Sequence, residues 1–329
     1  MGGRAFGAAG GVTGVSASLE ARVDALAREL SNWGRWGDED ELGTLNLITP
    51  ESRLRAAGCI RSGTAISLAL ELRSDRPQAP GSGRLNPQHV MVETGSDAAL
   101  NGAVTGFSDD VLAMSVHAAT HWDALSHVFH RGLMYNNRSC TEVTSAGARA
   151  NSIVGYADRL ITRGVLVDLP RFYGVDALAP DQEVTPTDLE SVLAAQRVEL
   201  EPGDALLVRT GQLGRIAARE EWGSFTEVGD RLPLEPGIGL ECLPWLHEQR
   251  VAAIACDNWA VEHLGAGSAR LPVHEVGIVH MGLPLGEIFE LDALAAACAA
   301  DQRYDCLLIA APLPIRGGVG GPVNPVAIR

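Results

Sequence analysis

Four of the chain's nine histidines fall in the run HAATHWDALSHVFH, residues 117–130. No other feature restricts the local backbone as strongly. His117, His121, Asp123 and His127 are all odd-numbered and would line one face of a strand. A fully extended strand, however, sets His117 and Asp123 about 20 Å apart, at roughly 3.3 Å per residue. Donors that bind at about 2 Å from one ion cannot be so far apart. A regular helix fails too, because at 100° per residue Asp123 lies about 120° from the His117–His121 pair. The cluster therefore converges only if a strand entering at Val111–Val116 bends into a loop, and Ala118, Ala119 and Ala124 are small enough to permit the bend. Two imidazoles and one carboxylate form a borderline-soft, anionic donor set suited to Zn²⁺, Mn²⁺ or Fe²⁺, with a fourth position open to water as in catalytic sites.

The rest of the chain supplies a scaffold of α/β or α+β type. Short apolar runs at 163–169, 204–210, 251–257 and 306–314 are flanked by turn residues and read as buried strands, with a further strand at 64–72. Leu19, Val23, Leu26 and Leu30 form a helical stripe behind a candidate N-cap, Ser18. Helices are also expected from Pro50 to Gly58, over Thr187–Arg197 and at 291–300. Interleaved strands and helices predict a mixed sheet. Residues 74–110, rich in Gly, Pro, Asn and Asp with a short strand at Val90–Glu93, read as a long excursion forming a rim or lid over a site. Residues 1–18 read as a loose N-terminal tail and 19–329 as one domain, since no repeat or linker divides them.

Charge and cysteine usage exclude several function classes. The net charge of −15 would repel phosphate backbones and anionic lipid, which argues against nucleic-acid and membrane-surface partners and for a small-molecule substrate. None of the six cysteines forms a CxxC pair, so buried reduced thiols are expected rather than thiolate zinc or disulfides. The Gly- and Ala-rich start lacks the apolar stretch of a signal peptide and no run approaches 18 apolar residues, which predicts a cytoplasmic location. His274-Glu275 begins like HExxH but Ile278 stands where the second histidine belongs. The Gly317–Gly321 run lacks the context of a dinucleotide site and reads as a tight loop. His89 is expected in solvent, and His247 and His263 in structural roles.

HAATHWDALSH resembles the HxGTHxDxxxH signature of the cyclase-type metal hydrolases, a family that includes bacterial kynurenine formamidase, isatin hydrolase and some aromatic polyketide cyclases. WGDEDELGTLNLIT, RGVLVDL, GDALLVRTG, PVHEVGIVHMGLPLGEIFELDAL and APLPIRGGVGGPVNP extend the resemblance over roughly residues 33 to 326. It implies a barrel-like, swivelling β/β/α mixed-sheet fold, assembled as a homodimer or homotetramer. It also implies His117, His121 and Asp123 as ligands of a first Zn or Mn ion, and His127 as a proton-transfer residue or second-site ligand. His274 and Glu287 map to the ligands that two-metal members add, giving one or two ions per chain. Ala119 departs from the signature's glycine, which would strain the bend if φ there must be positive. Leu125 departs from the proline of the formamidase branch and places kynurenine substrates in doubt.

The implied chemistry is hydrolysis of an amide, imide or lactone by metal-activated water with His127 as general base. Ring closure in aromatic polyketide metabolism needs the same Lewis acid and base, and a non-enzymatic metal-binding protein would need only the ligands. Trp33, Trp122, Phe129 and His130 are candidate substrate-binding residues. Trp122 lies between two ligands, and Trp33 occupies an irregular stretch able to reach a neighbouring subunit's site.

Overall fold

Strands apolar at nearly every position must be buried on both faces, and such strands form the centre of this molecule. The computed structural model describes residues 13–225, 232–266, 268 and 270–329, and of residues 13–17 only the helical backbone. Among these, nine strands build one mixed sheet: β1 (Ala65–Ser67), β2 (His121–Asp123), β3 (Ile161–Asp168), β4 (Ala205–Arg209), β5 (Ala253–Cys256), β6 (Leu285–Glu287), β7 (Asp305–Ile309), β8 (Gly320–Pro322) and β9 (Val326–Ile328). Their spatial order is β1-β9-β7-β3-β4-β5-β6-β2-β8. The four central strands β3, β4, β5 and β6 run parallel. Antiparallel pairs flank them on both sides, β6–β2–β8 on one and β3–β7–β9–β1 on the other. This is the mixed α/β, half-barrel architecture expected from the sequence.

Among the described residues the core is one large cluster that includes the central strands and a smaller one around Phe225 and Trp259. Val165, Val167, Leu206, Leu207, Val208, Ile254 and Ala255 are inaccessible to solvent, as are Val23 and Leu26 of the first helix, which packs against Pro272–Val276 and Gly277–Met281. Helix Pro50–Ala57 opens with the Thr49/Ser52 capping box, and helix Pro186–Gln196 with the Thr185/Asp188 box. The first helix spans Thr13–Glu29, so Ser18 lies inside it and is not its N-cap. No proline interrupts the segment ahead of Ser18, and the helix continues upstream by more than a turn. Residues 1–12 of the expected tail lie outside the described residues.

Three further local expectations are corrected. The strand expected at 64–72 is limited to Ala65–Ser67, because the Leu70 N–H is taken by Thr120 Oγ1 at 2.8 Å and the chain leaves the ladder. The strand expected to bend at Val111–Val116 spans Asp109–Ala113 instead and pairs with Gln88–Glu93 in an exposed two-stranded ribbon. The bend is a separate turn at 116–120, in which Ala118 N donates to Ser115 O, and β2 begins only at His121. The end of the glycine run is not a loop: Gly320–Pro322 forms β8 and pairs with β2. All six cysteines are free thiols, five of them buried. No described helix is long and apolar enough to cross a membrane.

Candidate metal centre

Strand alternation decides which side chains of β2 meet. His121 and Asp123, two residues apart, point to one face, and Trp122 points to the other. In the β2–β6 register His121 lies opposite Glu287, which brings their side chains together with His121 Nε2 3.1 Å from Glu287 Oε2. The turn before β2 returns His117 to the same face, 3.5 Å from Asp123 Oδ1 through Nε2. His127, after the strand, stacks on the His117 ring at 4.1 Å between centroids and reaches Asp123 Oδ1 at 3.8 Å. His274, in the short helix Pro272–Val276, closes the ring: its Nε2 lies 3.2 Å from Glu287 Oε1 and 3.6 Å from Asp123 Oδ2.

His117, His121, Asp123, His274 and Glu287 are buried and His127 is half-buried, and several of the buried lone pairs lack partners. His117 Nε2, His121 Nε2 and both Asp123 oxygens have no hydrogen bond. Unpaired buried polar atoms are costly, and four of them facing one another fit a cation. Two donor groups, His117–Asp123–His127 and His121–Asp123–Glu287, each lie within metal-binding reach, with Asp123 common to both. The sets differ from a first site of His117, His121 and Asp123: the register with Glu287 draws His121 towards the second group. The arrangement can hold one or two divalent ions.

The family model described as Putative cyclase matches residues 66–263, more than half of the chain. A crystal structure described as that of a novel cyclase is 38% identical, with a TM-score of 0.83 over 91% of this chain and 100% of that chain. The chain belongs to the cyclase family. Isatin hydrolase A from Labrenzia aggregata, bound to benzyl benzoate, shares the fold with a TM-score of 0.59 at 21% identity over 83% of this chain and 94% of that chain. Isatin hydrolase A from Ralstonia solanacearum does so at 0.60 and 19% over 85% and 97%. No curated protein matches the chain. The matched segment contains His117, His121, Asp123 and His127 and ends before His274 and Glu287.

Electrostatics divide the histidines of the centre into two kinds. Burial, and the nearby His127 and His121, hold His117 well below the ordinary imidazole value. Burial also lowers His127, against the opposing pull of Asp123. Burial opposes protonation of His121 as well, but the Asp123 and Glu287 carboxylates outweigh it and raise the ring to about 9. For His274 burial is again outweighed, here by Glu262 and Glu287, which raise it to about 10. Desolvation would raise Glu287, yet the His121 and His274 imidazoles overcome it and lower the carboxyl.

The substrate-binding candidates do not assemble as one wall. Trp122 is fully buried, donates Nε1–H to Ala310 O at 2.9 Å and packs edge-on against Phe289, so it is a core residue and not a pocket wall. Gly286 and Gly321 flank it because a Cβ on Gly286 would stand 2.7 Å from its ring. His130 turns away from the cluster and meets His280 at 2.9 Å, and Trp33 stacks on that same ring at 4.9 Å. Phe129 remains exposed. Ala119 is free of positive φ, so it leaves the bend unstrained.

Sequence reading missed Glu262 and Gly320. Glu262 is buried, accepts the Val273 and His274 backbone N–H groups at 3.1 Å each, and takes Nδ1 of His274 at 2.5 Å. Gly320 faces Asp123 across β2–β8, where a Cβ would stand 2.2 Å from His117 Nε2. The glycine run at 317–321, far from the histidine run in sequence, was the available signal for Gly320, and Glu262 gave none.

Proposed function

We propose that this cyclase-family chain is a metal-dependent hydrolase that opens an amide, imide or lactone bond, in a ring, with His127 as the proton carrier. The observation that carries the reading is the set of buried, unpartnered donors on His117, His121 and Asp123. His117, His121 and Asp123 would hold a divalent ion such as Zn²⁺ or Mn²⁺, with His274 and Glu287 available to a second, and the ion would supply a Lewis acid that lowers the pKa of water towards about 7. Isatin is a ring amide, and the two isatin hydrolases among the structural relatives support that bond class.

His127 suits proton transfer by position and charge state. Its side chain is 24% exposed, whereas His117, His121 and His274 are at 10% or less, so it faces the solvent side of the centre. Its lowered basicity leaves the ring neutral at pH 7 and able to accept a proton, then return it to the leaving nitrogen or oxygen. Glu262 holds His274 in one orientation, and β6 and β2 hold Glu287 and His121 face to face.

The test is a screen of cyclic amides, imides and lactones with Zn- and Mn-loaded protein, followed by acid release. With the His121–Asp123–Glu287 group intact, the His127→Ala variant should still bind metal and lose about 10²–10⁴-fold in kcat. Unchanged kcat in that variant would remove the role of His127.

The same reading includes a homodimer or homotetramer. The ribbon of Gln88–Glu93 and Asp109–Ala113 leaves Val90, Met91, Val92, Val111 and Leu112 exposed, and an isolated two-stranded ribbon is marginal in water. Light scattering should give a multiple of the 34.7 kDa chain mass, and a monomer would contradict this part.

A further inference from the structure

The long excursion before the histidine run does more than frame the centre. Its first part folds back onto the turn that carries His117: Gln78 Nε2 donates to Ala118 O at 2.9 Å and Arg84 Nη1 to His117 O at 3.1 Å. The Arg84 guanidinium lies across the indole of Trp259, its Cζ 4.9 Å from the ring centre. Arg84 is half-buried, and among the described residues no carboxylate pairs with it. Such isolation is conspicuous in a chain where 41 acidic residues face 26 basic ones. Through its bond to His117 O the guanidinium is fixed to the residue whose ring stacks on His127 at 4.1 Å.

A donor beside it lacks an acceptor altogether. Trp259 is 4% exposed and its Nε1–H has no hydrogen-bond partner. A guanidinium without a carboxylate partner next to a cation-binding centre is repulsive by itself, and an anionic group lying between the two would offset that repulsion. Arginine stacked on an aromatic ring presents its N–H edge in a fixed plane, the geometry that suits a carboxylate.

We propose that Arg84, braced on Trp259, forms a carboxylate-binding subsite beside the metal centre, so that the substrate carries a carboxylate in addition to the bond that is cleaved. The word substrate rests on the hydrolytic reading above, whereas the subsite rests on the placement of Arg84 alone.

The test uses benzoate as the anionic probe and benzamide as its neutral counterpart, titrated calorimetrically into Zn-loaded wild type, Arg84→Gln and Arg84→Lys, with metal content measured for each. Benzoate should bind Arg84→Gln about tenfold more weakly than wild type, with an intermediate loss in Arg84→Lys, while benzamide is unaffected. Equal benzoate affinity in wild type and Arg84→Gln at equal metal content would overturn the subsite and leave the hydrolytic reading intact. If the wild type takes up no metal, the hydrolytic reading fails, and the same comparison in metal-free protein decides the subsite. Should Arg84→Gln fail to fold, Arg84→Lys carries the test, and benzoate affinity equal to wild type overturns the proposal.

Discussion

Glu262 accepts a hydrogen bond from Nδ1 of His274 at 2.5 Å and so aims the opposite ring nitrogen at Glu287 and Asp123. A carboxylate behind a ligand histidine fixes its tautomer and strengthens it as a donor. Glu262→Gln should therefore weaken metal binding by about 10–100-fold with the fold retained. Competition with a chromophoric chelator measures this, and an unchanged affinity would show that His274 does not depend on Glu262.

Gly320 is a steric partner of His117. A Cβ at this position would stand 2.2 Å from Nε2, a distance that forces the imidazole to move. Gly320→Ala should reduce metal affinity by about tenfold or more through displaced His117, with far-ultraviolet circular dichroism unchanged. Wild-type metal affinity in this variant would mean that His117 is not a ligand in the orientation seen.

His280 gives a pH signature outside the centre. Burial, reinforced by the charge of His130 and opposed by Asp24, lowers its pKa to about 4 from the ordinary 6.5. The unfolded chain thus binds a proton between pH 6.5 and 4 that the folded chain refuses, so this component of stability is present above 6.5 and lost as the pH falls towards 4. His280→Gln lacks the component, and acidification from about pH 7 to about pH 4.5 should lower the wild-type melting temperature more than that of the variant. Parallel melting curves across this range would contradict it.

Much of this was legible in the sequence, and the reasons differ by residue. The central strands are apolar at almost every position, and the helices at 50–58 and 187–197 begin at Thr-Pro caps, so both signals are local. His117, His121 and Asp123 were legible because their donors lie close together along the chain. The exclusion of a straight strand and a regular helix also held, although the bend falls before a short strand rather than after a long one. What the sequence withheld depends on long-range pairing. The β2–β6 register sets His121 opposite Glu287, far away in the chain, and no local pattern encodes that register. Trp122 sits between two donors in sequence, yet strand alternation sends it into the core. Glu262 and Arg84 reach the centre from loops whose paths follow from tertiary packing alone.

The central claim is that the cluster built around His117, His121 and Asp123 binds one or two divalent cations. Its most direct test is elemental analysis of the purified protein after exposure to Zn²⁺ or Mn²⁺, beside the His121→Ala/Asp123→Ala double variant. The account predicts about one or two equivalents per chain in the wild type and none retained by the folded variant. Wild-type protein that stays empty, or a variant that binds as much as the wild type, would contradict it.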